Sequence, residues 1–463
     1  MLPTKIVVIG AGSAEFGLNT LSTLLRSERL RGSHLALVDQ NAATLEWVYR
    51  LAQRMNREWG AQMNITRHTR HEEALDGAEF VILSIEVPPR EALWKQDFEI
   101  PLRYGVRQPY SENGGPGGFA HAARNLGPVM EIVRDMEDQC PDAWLINFTN
   151  PMMRICDAVA RYSRIKVVGL CHQIMVGYAM VGLALAKDLD IHVPDGFTDT
   201  HASPSSSGPR RIVAKQALEK VHIQAAGLNH FTWMLSVHDR RTGEDLYPLF
   251  ARRWRELPPT FEPLTRQMYD IFGLFPIPGD EHLCEYLPWM SDPVTKPWQK
   301  YDISLYEWDL HDNLRHRKQE DIVAMAQGEK DIHPLHDVDS EGAAEIIENI
   351  AGGGEHFHLA VNLPNRGYIT NLPNGAIVEV PGVVTGAGVQ GVGVGDMPAP
   401  IAELLRREIT VVRLSVDAAV KGDRQAALQA LLLDPVVRDI DVARQILDDY
   451  LTTYKAYLPQ FWT

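Results

Sequence analysis

The sequence predicts an α/β protein in which a doubly wound parallel sheet is followed by a mixed α+β region. Short apolar runs alternate with helical patterns over the first 200 residues, and the first run ends at a glycine turn, Gly10-Ala11-Gly12. Such alternation is typical of βαβ units, whose strands are buried on both faces of the sheet. Because 463 residues are too many for one ordinary core, we expect two packed domains, residues 1–200 and 201–463.

The period of the apolar residues predicts the individual elements. Apolar runs predict strands over residues 5–9, 34–39, 80–87, 143–147 and 166–170. Helical spacing predicts helices over residues 15–30, 41–59 and 121–138. Beyond residue 200 the pattern predicts a Ser/Pro/Gly-rich loop at 201–211, helical stretches within 245–330, a strand in 376–395 and helices in 401–460.

Composition and charge narrow the class of protein. A hydrophobic content of 45% with 23% charged residues is ordinary for a globular protein. The formal net charge of -15 repels nucleic acid and anionic membranes, so we expect neither as a partner. We find no secretory signal and no apolar run of about 18 residues that would predict a membrane span. The four cysteines, Cys140, Cys156, Cys171 and Cys284, have no paired spacing, which favours a reducing cytoplasm.

The glycine turn lies where the first strand should lead into the first helix. Glycine there lets backbone N–H groups approach a pyrophosphate at the helix N-terminus. A plain strand–helix turn is the alternative, because Glu15 occupies the position of the third glycine of the usual fingerprint and Gly17 comes two residues late. Asp39, at the end of the second strand, favours the dinucleotide site, since a carboxylate there accepts the ribose hydroxyls of NAD and repels the phosphate of NADP. The sequence therefore predicts a Rossmann domain that binds NAD.

Polar and soft side chains follow several predicted parallel strands. The strand ends carry Asp39, Glu86, Asn147, Asn150, Cys171 and His172. Ligands of open α/β sheets bind at this edge. Cys171 could hold a divalent metal together with His230, which lies in the apolar segment AAGLNHFTWML. The alternatives are a buried cysteine acting as a small apolar side chain and a histidine satisfied in the core. Ligand softness alone points to zinc or iron as readily as to manganese.

Seven segments carry a resemblance to a known family. They are VVIGAGS near the start, ENGGPGG at 112–118, NFTNPM at 147–152, GLCHQ at 169–173, GLNHF at 227–231, DEHLCEYLPW at 280–289 and NLPNGAIVEVPG at 371–382. In this order, and over most of the chain, they resemble glycoside hydrolase family four, the NAD- and metal-dependent glycosidases. Malate- and lactate-type dehydrogenases share the nucleotide domain but lack the Cys and His metal pair.

The resemblance implies which residues bind the metal and the substrate. Cys171 and His230 match the metal ligands, and the metal of this family is usually manganese. Asn150 matches the residue that holds sugar hydroxyls near the nicotinamide, and we expect His172 and Asn229 to contact the substrate as well. Gln173 is a departure, because the residue after Cys-His varies in the family with the class of substrate.

The resemblance also implies catalytic and cofactor contacts. Glu112 is the expected acid, although relatives often carry Asp at this position. Asp280 lies in the segment that supplies a base or acid, with Tyr286 as its rival. We expect the cofactor to contact Gly10, Gly12, Ser13, Phe16, Asp39 and Glu86.

The chemistry implied by the resemblance explains why a hydrolase would need NAD. Oxidation of the sugar at C3 acidifies the C2 proton, a metal assists its removal, the aglycone leaves by elimination, water adds, and NADH returns the hydride. A simple NAD-dependent dehydrogenase of a hydroxy acid or free sugar is the main alternative, and a non-catalytic nucleotide- or sugar-binding protein is a third.

The substrate class and the assembly are further expectations. We expect an unphosphorylated α-glycoside or α-uronide, because arginines on helices, such as Arg124, Arg154 and Arg266, are more often solvated than gathered at a phosphate. Analogy with the family implies a homodimer or homotetramer.

Overall fold

A computed structural model describes residues 3–13, 17–198 and 208–462 of the chain. The first half alternates strands and helices. In chain order its elements are β1 (Lys5–Ile9), α1 (Gly17–Arg26), β2 (His34–Val38), α2 (Ala42–Glu58), β3 (Asn64–His68), β4 (Phe80–Leu83), α3 (Arg90–Arg103), α4 (Gly115–Gln139), β5 (Trp144–Asn147), α5 (Met152–Tyr162), β6 (Lys166–Gly169) and α6 (Ile174–Ala184).

The second half mixes helices with antiparallel strands. Its elements are α7 (Pro209–Lys220), β7 (Val221–Leu228), β8 (Phe231–Asp239), α8 (Tyr247–Glu256), α9 (Pro263–Phe272), β9 (Phe275–Pro276), α10 (Asp280–Leu283), α11 (Pro297–Lys300), α12 (Trp308–Gln327), α13 (Ala343–Gly352), β10 (Glu355–Pro364), β11 (Ile377–Thr385), β12 (Gly388–Gly391), α14 (Ala399–Lys421), α15 (Arg424–Leu433) and α16 (Ile440–Thr453). Within the described ranges, no helix is both long enough and apolar enough to cross a bilayer.

Both halves contribute to one sheet of 12 strands, in the order β3-β2-β1-β4-β5-β6-β10-β11-β7-β8-β9, with β12 paired to β11. The first six of these strands are parallel and follow the strand order of a Rossmann sheet. The other strands pair antiparallel. A single residue pair, Gly169 with Asn362, joins β6 to β10, and a single pair, Gly227 with Glu379, joins β11 to β7.

The parallel strands are apolar throughout because helices cover both faces of the sheet. Val7 and Ile9 of β1 belong to a core formed with α3, α4, α5, α14 and α16. Ile6 and Val8, whose side chains point to the other face, belong to a core formed with α1, α2 and α13. Each such side chain stabilises the fold by about 1.5–3 kcal/mol on burial. The KIVVI run is therefore a strand buried on both faces, as predicted.

The parallel sheet and the mixed second half agree with the predicted fold class, but several elements, among them α3, α5 and α6, were not predicted or differ in their bounds. α4 begins at Gly115, before the predicted start, because Gln108 receives the N–H of Gly117 and donates to the carbonyl of Gly114. β3 was not predicted, since only Ile65 of its five residues is fully buried. α7 begins at Pro209, within the segment predicted as a loop, because proline is well suited to the first helical position. Residues 201–207 of that segment lie outside the described ranges.

A buried ion pair joins α3, α4 and the residues after α16. Arg124 donates two hydrogen bonds to the Asp97 carboxylate, and the Tyr454 hydroxyl donates a third at 2.7 Å. We predict that Asp97→Ala lowers the free energy of unfolding by about 3–5 kcal/mol, because Arg124 then remains buried without a counter-charge. Urea unfolding followed by circular dichroism measures this change.

Arg103→Ala is the matched control, because Arg103 pairs with Asp449 at the exposed surface, where an ion pair contributes about 1 kcal/mol or less. Equal losses for the two variants would contradict the assignment of Asp97 as a structural counter-charge.

Candidate active site

The glycine turn after β1 is held against the carboxylate that follows β2. Gly12 donates its backbone N–H to Asp39 Oδ2 at 2.8 Å, and a Cβ at Gly12 would lie 2.7 Å from that oxygen. Gly10 has a φ of +86°, and a Cβ there would lie 1.9 Å from the carbonyl oxygen of Ser84. Both positions therefore require glycine.

The turn follows β1 and precedes α1. Ser13 donates its N–H to the carbonyl of Gly10 at 3.0 Å. The second oxygen of Asp39 accepts the N–H of Asn41 at 2.8 Å, which fixes the carboxylate at the carboxyl edge of the sheet. This geometry suits a pyrophosphate at the helix N-terminus and a ribose beside Asp39. Phe16, the other predicted contact here, lies outside the described residues.

Glu86 follows β4 and forms an ion pair with the buried His121 of α4. The two ring nitrogens of His121 bind the Glu86 carboxylate at 2.9 Å and the backbone carbonyl of Glu112 at 3.0 Å, so both donate and the ring is positively charged. Burial would raise the pKa of Glu86, but His121 and Arg90 outweigh it and lower the pKa to about 2. The pair ties the Glu112 segment to the end of β4.

Glu112 lies beside Asn150, the residue that precedes α5 by two positions. Asn113 donates to Glu112 Oε2 at 3.0 Å, and the Asn150 side chain also hydrogen-bonds the carboxyl group. Burial raises the pKa of Glu112, although the Arg90 guanidinium, 3.7 Å away, opposes the shift. A raised pKa favours the protonated carboxyl group that a general acid requires.

The loop that carries Glu112 is anchored by the segment DEHLCEYLPW. Glu285 of this segment accepts the backbone N–H groups of Tyr110 at 2.9 Å and of Ser111 at 2.8 Å. Burial raises the pKa of Glu285 to about 8. The two segments, far apart in the chain, therefore form one wall of the site.

A cavity of about 1000 Å³ opens beyond the carboxyl ends of β5 and β6. Its lining brings together six of the predicted site residues: Glu112, Asn150, Cys171, His172, His230 and Asp280. Convergence of residues from this many segments on one cavity is the arrangement expected of an active site.

Cys171 and His230 are placed to share a cation. Cys171 follows β6, His230 lies in the two-residue turn between β7 and β8, and Sγ is 3.5 Å from Nε2. In a zinc site, sulfur and nitrogen ligands with bond lengths of about 2.3 and 2.0 Å lie about 3.1–3.5 Å apart, which shows that this separation is compatible with one shared cation. Among the described residues, no third His, Cys, Asp or Glu has a ligand atom within 4.8 Å of both. Open positions of this kind are typical of catalytic sites, where substrate oxygens complete the coordination.

Burial holds both candidate ligands in their uncharged forms. It raises the pKa of the Cys171 thiol to about 12, with a smaller contribution from Glu379. It lowers the pKa of His230 well below the ordinary value, and the neighbouring His282 and His172 add to this. A cation would therefore displace a proton from sulfur and meet an imidazole that is already neutral.

Gln173, the departure from the family pattern, connects the two ligand-bearing segments. Its Oε1 accepts the backbone N–H of His230 and the hydroxyl of Thr232, each at 3.0 Å. His230 has a φ of +62°, a left-handed conformation that the turn imposes and that these contacts stabilise. Gln173 therefore orients the turn that presents His230.

Asn229 was predicted to contact the substrate, but it does not line the cavity. It is 1% exposed and donates to Glu379 at 2.9 Å, on the buried side of the Cys171–His230 pair. His172, by contrast, lines the cavity with a third of its side chain exposed, and its Nδ1 lies 3.3 Å from Glu341.

The two predicted candidates for the base occupy different surroundings. Asp280 lines the cavity and accepts the N–H groups of Leu264 and Thr265 at the start of α9. Burial and the adjacent Glu262 carboxylate raise the pKa of Asp280 well above its usual range. Tyr286 does not line the cavity; its ring stacks on Phe231 with centroids 5.0 Å apart.

Several residues of the site were not predicted from the sequence. His121 hydrogen-bonds Glu86, Glu341 contacts His172, and Glu379 accepts a hydrogen bond from Asn229. Only Glu379 lay in a segment already singled out, NLPNGAIVEVPG, where it is a charged residue inside an apolar run. The arginines considered for a phosphate, Arg124, Arg154 and Arg266, do not line the cavity.

The fold and the cavity define an enzyme with a Rossmann-type nucleotide domain. A family model described as "Family 4 glycosyl hydrolase" matches residues 5–190, and one for the C-terminal domain of the same family matches residues 225–437. The chain therefore belongs to glycosyl hydrolase family 4 and is a glycosidase, which confirms the resemblance and decides against the simple dehydrogenase.

Individual relatives match over almost the whole chain. It is 30% identical to an alpha-glucosidase of Erwinia rhapontici and 29% identical to an alpha-galactosidase of Bacillus subtilis, in each case over 99% of both chains. A solved structure of a 6-phospho-alpha-glucosidase from gut microorganisms, in complex with NAD and Mn2+, has the same fold, with a TM-score of 0.77, 22% identity and 99% of each chain covered.

The pKa values of the Cys171–His230 pair generate a prediction about pH. Binding of Mn2+ should tighten about tenfold for each unit of rising pH between about 6 and 8, because the ion displaces one thiol proton while His230 is already neutral. Calorimetric titration in buffers of different ionisation enthalpy measures both the affinity and the released proton.

Cys140→Ser is the control for this titration, because Cys140 lies outside the cavity. It should bind Mn2+ as the wild type does, whereas Cys171→Ser should not. An affinity independent of pH would show that the thiol is not a ligand.

Proposed function

We propose that this glycosidase hydrolyses an unphosphorylated α-glycoside, neutral or a uronide, with NAD as a recycled cofactor and a divalent metal, Mn2+, at Cys171 and His230. The observation that carries the proposal is the 3.5 Å separation of Sγ and Nε2 at the cavity, on the same sheet edge as the glycine turn. A solved structure of a relative with the same fold contains both NAD and Mn2+.

The donor sets fit both cofactors. The Gly10–Gly12 turn and Asp39 form the cradle for the dinucleotide, and Cys171 with His230 supplies the soft ligands for the cation. When bound, NAD supplies the hydride acceptor for oxidation at C3, and the metal supplies Lewis acidity at the C2 and C3 oxygens. The ion pair of Glu86 with His121 stabilises the end of β4, at the edge of the sheet where both cofactors would bind.

The side chains of the cavity bind the substrate and supply the base and the acid of the reaction. Asn150 and His172 hold sugar hydroxyls. Asp280, which lines the cavity, is the base that removes the C2 proton. Glu112, whose pKa is raised by burial, donates a proton to the oxygen of the leaving aglycone.

The charges of the cavity support an unphosphorylated substrate. The cationic side chains that line it are Arg90, Arg210, Arg211, Lys215, Arg240 and Arg315. Four of these six form ion pairs with Glu262, Asp339 or Glu91, and Arg90 lies 3.7 Å from Glu112. A phosphate dianion would have to displace these carboxylates, whereas sugar hydroxyls leave them in place.

Three broader expectations accompany this proposal. The division into residues 1–200 and 201–463 places the nucleotide site in the first unit and His230 in the second. A homodimer or homotetramer follows from analogy with the family. A cytoplasmic location is supported by the four cysteines, none of which forms a disulfide.

The mechanism predicts a specific isotopic result. With NAD, Mn2+ and a reductant, the protein should hydrolyse an aryl α-glycoside deuterated at C2 and lose the label to solvent, because a base removes that proton during each turnover. NADH should not accumulate, since the hydride is returned. Mass spectrometry of the product and absorbance at the NADH band provide the two measurements.

The matched controls are the same glycoside bearing a 6-phosphate and the corresponding uronide. Faster hydrolysis of the 6-phosphate would contradict the proposed substrate class. Hydrolysis that survives removal of both cofactors, or full retention of deuterium, would contradict the mechanism.

Asp280 and Tyr286 can be separated by substitution. Asp280→Asn should lower kcat by about 10²–10⁴-fold, because it removes the base. Tyr286→Phe should leave kcat unchanged, because Tyr286 packs against Phe231 away from the cavity. Steady-state kinetics and NAD titration of both variants test this, and the reverse order of effects would assign the base to Tyr286.

A further inference from the structure

One row of residues crosses the sheet where its parallel and antiparallel parts meet. Gly169 of β6 pairs with Asn362 of β10, Asn362 pairs with Glu379 of β11, and Glu379 pairs with Gly227 of β7. Cys171 follows the first residue of this row by two positions, and His230 follows the last by three. The row therefore spans the distance between the two candidate metal ligands.

The centre of the row is a buried carboxylate. Glu379 is 2% exposed, and its Oε2 accepts hydrogen bonds from Nδ2 of Asn229 at 2.9 Å and from Nδ2 of Asn362 at 3.0 Å. Asn362 also donates to the carbonyl of Gly169 at 3.4 Å. Side chains thus reinforce the two places where single backbone pairs join the strands.

This carboxylate lacks a full counter-charge in the described part of the chain, where no lysine or arginine pairs with it. Burial raises the pKa of Glu379, and the amides of Asn229 and Asn362 oppose this shift. Two amide donors do not offset the cost of removing an ionised carboxylate from water. A divalent cation bound by one thiolate and one neutral imidazole retains a single positive charge, and Glu379 supplies the matching negative one.

A hydrogen-bonded path joins this carboxylate to the ligand. The Asn229 amide, which donates to Glu379, also hydrogen-bonds the sulfur of Cys171, and Asn229 directly precedes His230. Outer partners of this kind fix the orientation of metal ligands and tune their affinity.

We propose that Glu379, acting through Asn229, is a positioning residue that balances the charge of the metal at Cys171 and His230 and holds these two ligands together. This inference rests on the metal site proposed above. It assigns to Glu379 no contact with substrate or cofactor.

The test is the Mn2+ affinity of Glu379→Gln, measured by electron paramagnetic resonance of free Mn2+ without substrate. Glutamine keeps the size and can still accept both amide hydrogen bonds, so the substitution removes mainly the charge. We expect Mn2+ to bind about 10–100-fold more weakly, with unchanged NAD affinity. Glu379→Asp, which keeps the charge, should lose less affinity than Glu379→Gln.

Asn229→Ser provides a second test if Glu379→Gln does not fold, because it breaks the path to Cys171 while leaving the Asn362–Glu379 contact in place. It should also weaken Mn2+ binding. Wild-type Mn2+ affinity in the folded variants overturns the inference, whereas a wild-type protein that binds no Mn2+ overturns the proposed metal site itself. A lower melting temperature with unchanged Mn2+ affinity would make Glu379 purely structural.

Discussion

The site depends on one row of residues that crosses the junction between the two parts of the sheet. Cys171 and His230 are 59 residues apart in the chain, yet their ligand atoms lie 3.5 Å apart. The intervening strands β10 and β11 come from much later in the chain and contribute Asn362 and Glu379. Because single backbone pairs join these strands to β6 and β7, the side-chain hydrogen bonds of Glu379 provide much of the registration.

A second feature of the molecule is that carboxyl groups within the fold have very different pKa values. Each buried carboxylate has a different set of partners, and the partners decide its protonation. The neighbouring His121 and Arg90 lower the pKa of Glu86 to about 2, whereas Glu285, which accepts two backbone N–H groups and lies near the carboxyl groups of Glu112 and Asp434, has its pKa raised to about 8. The protonation of each carboxyl group therefore depends on whether a cation offsets the cost of its burial.

Much of the fold could be predicted because its signals are local. The apolar runs of the parallel strands and the helical periods between them reflect burial on both sheet faces, and the structure has the corresponding elements. The signals were weak where an element depends on distant contacts. The start of α4 depends on Gln108, and β3 has one fully buried residue in five. The orientation of Asn229 away from the cavity could not be predicted for the same reason, since only its contact with Glu379 of β11 shows which way its side chain turns.

The sequence by itself determined the fold class and, through seven segments in order, the family, and it pointed to the glycine turn with Asp39 and to Cys171 and His230 as candidates. These features are local, so a linear pattern carries them. Only the tertiary structure decided that Asp280 lines the cavity while Tyr286 is packed behind it, that most of the cavity arginines lie beside carboxylates, and that Glu379 is hydrogen-bonded to the residue preceding His230. Side-chain direction, burial and counter-charge arise from residues brought together across the whole chain, and no local pattern records them.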